Sequence, residues 1–103
     1  MSQAAAVPIP VDFLLHRIAE LRGPLRVILF GSRARGDHHD RSDYDIALDA
    51  PAVSSADWAR FALEVREHFP SLCGLDLVRL TATTAADLRQ KIQQEGRVIY
   101  ERT

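Results

Sequence analysis

Apolar residues recur along this chain in two rhythms. Val11, Leu14, Leu15, Ile18 and Leu21 repeat at the spacing of one helical face, and Gly23-Pro24 stops the helix they predict. Leu25–Phe30 is a nearly unbroken apolar run, and six residues suit a strand covered on both faces better than a helix. Gly31 ends it, Ser32–Gly36 reads as a short helical turn, and Asp37–Arg41 reads as a polar loop. The next segment alternates. In a strand over Asp43–Leu48, Tyr44, Ile46 and Leu48 face one way while Asp43, Asp45 and Ala47 face the other. A helix follows Pro51, capped by Ser54 or Ser55, with Trp58, Ala62, Val65 and Phe69 as its buried stripe and Pro70 as its end. Leu75–Leu80 alternates again, setting Leu75 and Leu77 against Asp76 and Val78. Thr84-Ala85-Ala86-Asp87 has capping-box character and opens a last helix through Glu95, with Ala85, Leu88 and Ile92 inward and Gly96 as C-cap. Val98-Ile99-Tyr100 is short and apolar, an edge strand or a packed tail. The order predicts an α+β fold, a small mixed β-sheet with helices packed on one face and the acids on the bare one.

Length turns this outline into one domain. A chain of 103 residues buries a modest core but has no room for a separate substrate-binding domain, and the Ala-rich residues 1–8 read as a frayed start. A formal charge of −1 provides no basic field of the kind that holds nucleic acid, which argues against template-directed polymerisation. The cations are twelve Arg and one Lys, mostly solvated helix-face charges; Arg33 and Arg35 carry weight, Arg41 and Arg79 less. A single Cys73 excludes an internal disulfide framework, and no apolar run is long enough to cross a bilayer, so the sequence reads as cytoplasmic.

The candidate chemistry lies between the first two strands. Gly31-Ser32 leaves the apolar run and stands ten residues ahead of Asp43-Tyr44-Asp45. A glycine and a serine at that position can turn backbone N–H groups toward phosphate oxygens. Asp43 and Asp45 share one face of their strand, where Asp is normally depleted. Two neighbouring carboxylates repel, and a divalent cation removes the penalty; hard oxygen ligands favour Mg²⁺ or Mn²⁺. Taken singly, Gly31-Ser32 is an ordinary turn and Asp43-x-Asp45 a solvated strand end. Their joint spacing behind a buried strand is what makes a site. His38 and His39, between Asp37 and Asp40, read as an exposed loop rather than a metal cluster, because adjacent side chains rarely converge.

These residues resemble the minimal nucleotidyltransferases of the DNA polymerase beta superfamily. The pattern GS-x-ARG followed by SDxD is matched by Gly31-Ser32, Ala34-Arg35-Gly36, Ser42-Asp43 and Asp45. The resemblance extends to Asp76 on a later strand and to the closing Glu95–Glu101, nearly the whole chain. It implies a polymerase-beta-like nucleotidyltransferase fold with Asp43, Asp45 and Asp76 as catalytic metal ligands for two Mg²⁺ ions. It implies also that Gly31, Ser32 and Arg33 or Arg35 hold the triphosphate of ATP, Arg35 having the stronger claim through its place in Ala-Arg-Gly. Members of this kind pair with a helical HEPN toxin in a hetero-oligomer and act as antitoxin by transferring AMP to a toxin tyrosine. Two other readings stay open: nucleotidylation of a small hydroxylated molecule with a helical partner subunit, and a binding antitoxin without catalysis.

Overall fold

The computed structural model describes residues 8–103; most of the expected frayed start, residues 1–7, lies outside the described residues. Helix α1, Ile9–Arg17, carries Pro10 in its first turn, where a missing N–H removes no helical hydrogen bond. It tightens into a 3₁₀ turn at Ile18–Glu20, and Val11, Leu14, Ile18 and Leu21 are buried as their spacing predicts. Strand β1, Leu25–Phe30, has the expected bounds, and the short helix α2, Ser32–Arg35, follows it. Strand β2 runs Tyr44–Asp49, helix α3 Ser55–His68, strand β3 Leu75–Arg79, helix α4 Ala86–Glu95 and strand β4 Arg97–Arg102.

The sheet order is β3-β2-β1-β4. Strand β1 pairs antiparallel with both β2 and β4, and β2 pairs parallel with β3, the long crossover between them being α3. The apolar tail is therefore an edge strand. It carries an irregularity opposite Val27 and Ile28 that leaves Ile99 between two paired residues. Ser54 caps α3, its hydroxyl accepting the Asp57 N–H at 3.1 Å. Phe61 joins Ala62 and Val65 among the buried residues of α3, while Trp58 and Phe69 are half-buried; the sheet-facing stripe is wider than the four-residue seam the sequence suggested.

The α+β class and the small mixed sheet are as expected, but the helices divide between the two faces. Leu25, Val27, Tyr44, Ile46, Leu48 and Leu77 form one core with α1 and α3. Ile28, Phe30 and Ala47 form a second on the opposite face, closed by Ile92 of α4 with Leu88, Val78 and Leu80 around it. A strand apolar on both sides needs cover on both, and the inner stripe of α4 supplies it. The face that carries the acids is thus half-roofed rather than bare. The expected capping box does not form either: the Thr84 hydroxyl accepts the Thr81 N–H at 2.9 Å within its own turn, and Ala85 stands at the N-cap without a side-chain bond. Gly96 does close α4, its N–H donating to the Ile92 carbonyl at 2.8 Å in extended backbone. Its need for glycine is spatial, since a Cβ there would lie 2.6 Å from Ile28 Cγ2.

Candidate active site

The registers of three strands bring the acids together. Phe30 is paired with Asp45 across β1 and β2, and Asp45 with Asp76 across β2 and β3. Residues paired in register share a face, so Asp45 and Asp76 emerge side by side, with Asp43 two residues before Asp45 on the same side. Tyr44 and Ile46 point the opposite way into the α1/α3 core.

Gly31 lets Asp45 occupy its place. Its φ of 76° and ψ of −158° belong to a region open essentially to glycine, and a Cβ would overlap Asp45 Oδ2 and stand 2.9 Å from Cγ. The carboxylate therefore rests directly against the backbone of the turn leaving β1. Ala34 and Arg35 N–H donate back to the Gly31 carbonyl at 3.1 and 3.0 Å. The N–H groups of Ser32 and Arg33 stand in the first turn, which has no intrahelical acceptor for them. With only four residues α2 contributes individual N–H donors rather than a helix dipole of any weight.

Asp43 is anchored by the residue just before β3. Its Oδ1 accepts the Gly74 N–H at 3.2 Å, and a Cβ on Gly74 would stand 2.6 Å from that oxygen. Tyr44 N–H donates in turn to the Gly74 carbonyl at 2.8 Å, so two adjacent residues at the start of β2 are stitched to the one glycine that precedes β3. Asp76 is exposed. Burial holds the Asp45 carboxyl above the ordinary carboxylate range, and repulsion from Asp76 and Asp43 adds to this against the opposing charges of Lys91 and Arg35. That repulsion is what a divalent cation relieves, and all three donors are the hard oxygens that Mg²⁺ prefers. Among the described residues no three acid, His or Cys side chains form a ready-made metal cage; Asp43 leans to Gly74, and further oxygens would have to come from substrate and water.

The two candidate arginines part company. Arg33 turns away from the acids: its Nε donates to the Ser42 carbonyl at 3.1 Å, Nη2 approaches Cys73 Sγ at 3.7 Å, and its guanidinium lies 3.9 Å from the Tyr44 ring centroid. Its donors hold the Asp37–Ser42 loop through the carbonyls of Asp40 and Ser42. Arg35 stays near the acid end, donating to Asp37 at 3.1 Å and to Glu95 of α4 at 3.0 Å. Its guanidinium is held above its ordinary value, first by the hydrogen bond to Asp37. Arg79 lies toward α3, bonded to the Val53 carbonyl and 5.6 Å from the Trp58 ring. His39 stays in an exposed loop, its Nδ1 accepting the Arg41 N–H at 3.3 Å.

Sequence reasoning passed over Gly74 and the α4 pair Lys91 and Glu95. Gly74 was legible as a glycine immediately before an alternating Leu-Asp-Leu. The α4 pair was not, because it reaches the site only once α4 crosses to the acid-bearing face. A cavity of about 720 Å³ opens elsewhere on that face, between α4 and Arg26, Ile28, Asp49 and Val98, at the far end of β2 from Asp45.

The sequence model of the family described as "Polymerase beta, Nucleotidyltransferase" matches residues 15–103. No curated protein matches the chain significantly. Among solved structures, a toxin–antitoxin complex with AMP-PNP is similar at TM-score 0.65 and 23% identity, over 91% of this chain and 73% of that one. A variant of the toxin–antitoxin pair MntA-HpeT is similar at TM-score 0.66 and 21% identity, over 90% of this chain and 73% of the other. These chains share the fold.

Proposed function

The chain belongs to the polymerase beta nucleotidyltransferase family, and we propose that it transfers AMP from ATP to a hydroxyl of a partner protein, a tyrosine of a HEPN-type helical toxin, and so acts as its antitoxin. The observation that carries this reading is the seating of the Asp45 carboxylate on Gly31, between the turn that would hold phosphates and the other two acids. The partner is supported by the likeness to solved chains that come from toxin–antitoxin complexes, one of them with AMP-PNP.

In this reading Asp43, Asp45 and Asp76 hold the metal, and Ser32, the N–H groups after Gly31 and Arg35 hold the triphosphate. Mg²⁺, when bound, offsets charge on the entering and leaving oxygens and lowers the pKa of the attacking hydroxyl. The hydroxyl oxygen forms a bond to the α-phosphorus, the bond from that phosphorus to the bridging oxygen breaks, and pyrophosphate departs with the electron pair. Asp76, exposed on β3, accepts the hydroxyl proton at its carboxylate. Arg35, braced by Asp37 and Glu95, keeps positive charge at the phosphate end.

Incubating the protein with Mg²⁺, ATP labelled at the α-phosphate and the product of its neighbouring gene should place one or more AMP groups on a tyrosine of that product, located by mass spectrometry. Asp76→Asn should keep much of the Mg-ATP binding while losing single-turnover transfer by on the order of a hundredfold or more. Absence of a melting shift with millimolar Mg-ATP, with and without the partner, overturns the catalytic reading.

A further inference from the structure

Helix α4 presents two different flanks to the face it covers. Its inward residues, Leu88 and Ile92, pack on Ile28, Phe30 and Ala47. Arg89 and Gln93 lie on one side of that stripe and line the cavity at the far end of the sheet. Lys91 and Glu95, four residues apart, lie together on the other side. Glu95 fixes where that flank looks, because its Oε1 is 3.0 Å from Nη1 of Arg35, the residue that closes the turn after Gly31-Ser32. Lys91, one turn earlier on the same flank, is thereby carried toward the acid-bearing end of the sheet. It is also exposed, and among the described residues no acidic side chain lies within ion-pair distance of it. The only lysine of the chain thus lies on the flank of α4 turned to the acid end, without an ion-pair partner among the described residues.

We propose that Lys91 is a phosphate ligand of this site, reaching from α4 to the β,γ end of the triphosphate opposite the Gly31-Ser32 turn. The assignment rests on the nucleotidyltransferase reading above. An ammonium on a long flexible stem suits a point contact to a polyphosphate whose other oxygens are held by backbone N–H groups. Glu95 has the positioning role: by holding Arg35 it keeps α4 and α2 in register across the mouth.

Because Lys91 is the single side-chain amine, its reaction with an acetylating reagent reports on it directly, the modified peptide being counted by mass spectrometry. Mg-ATP should slow acetylation of Lys91 several-fold, and Mg-AMP, which lacks the β- and γ-phosphates, should not. Lys91→Gln should weaken Mg-ATP binding roughly tenfold while Lys91→Arg largely restores it. A wild-type melting shift with Mg-ATP, together with unprotected Lys91 and a Lys91→Gln variant that binds like wild type, overturns the assignment of Lys91 alone. No wild-type shift at all overturns both it and the nucleotide reading.

Discussion

The two ends of the face beneath α4 handle charge in opposite ways. At the cavity end Arg26 and Asp49, paired in register across β1 and β2, close a 3.1 Å ion pair, and Arg89 donates to the Thr81 carbonyl. At the acid end Asp43, Asp45 and Asp76 share one face, and glycines at positions 31 and 74 clear the space that Asp45 and Asp43 fill. Folding alone favours the first arrangement. The second keeps unrelieved repulsion, and a fold keeps that where something else supplies the missing charge. Volume points the other way, since the 720 Å³ cavity belongs to the neutralised end. In the proposed function, uncompensated charge and not empty space marks the chemical end of this sheet.

The sharpest way to break the comparison is Asp45→Asn. It should cost at least about a hundredfold in AMP transfer, because the amide cannot bind the cation or balance its charge. It should also stabilise the metal-free protein at neutral pH. The folded carboxyl has its pKa raised, so between the unfolded and folded values the native state binds more protons and stability falls as pH rises. Above that window the full penalty persists, and the Asn variant escapes it. Thermal melts at pH 7 without metal should place Asp45→Asn above wild type, by a small margin because solvent screens a half-buried carboxyl. The margin should vanish below the ordinary carboxylate range. A variant less stable than wild type at pH 7 would mean that Asp45 is a structural acid.

Gly31→Ala tests the seating of that carboxylate. The backbone conformation alone costs about 1–3 kcal/mol for a residue with a Cβ, and the overlap with Asp45 adds to it. Gly36, with φ of 88° and nothing within 4 Å of its absent Cβ, is the control for strain without a neighbour. In urea titrations Gly31→Ala should cost more than Gly36→Ala, and the excess should shrink in an Asp45→Ala background to what the two backbone regions alone account for. Equal costs in both backgrounds would show that Asp45 does not rest on this turn.

Most of this architecture was legible where one residue's pattern decides its own surroundings. The bounds of β1, the alternation that separates Tyr44 and Ile46 from Asp45, and the Ser54 cap all follow from local rules. The acid pair and Asp76 were legible as candidates because their faces follow from strand period. What escaped depends on partners distant in sequence. Arg33 and Arg35 are two apart in one short helix and look alike as letters, yet Tyr44 and Ser42 take the first while Glu95, sixty residues on, takes the second. Thr84 had a capping role open to it and lost it to a closer donor, Thr81. The placement of α4 could have been argued from β1 itself, since a strand read as covered on both faces contradicts a sheet with one bare face.

The smallest expected effect is at the neutralised end. Arg26 and Asp49 are each more than a third exposed, so water screens their attraction and ordering the side chains offsets part of it. A double-mutant cycle with Arg26→Ala and Asp49→Ala should give a coupling of about 0.2–1 kcal/mol, shrinking with added salt. AMP transfer should be unchanged in both single variants, because neither residue touches the end of β2 where Asp45 stands. The cycle sharpens the contrast because Asp49 lies on the same strand and the same face as Asp45, four residues along. Removing a paired acid should destabilise slightly and leave the chemistry alone, whereas removing the unpaired one should stabilise slightly and abolish it. A loss of transfer greater than tenfold in Asp49→Ala, with its fold intact, would extend the functional site down the strand into the cavity.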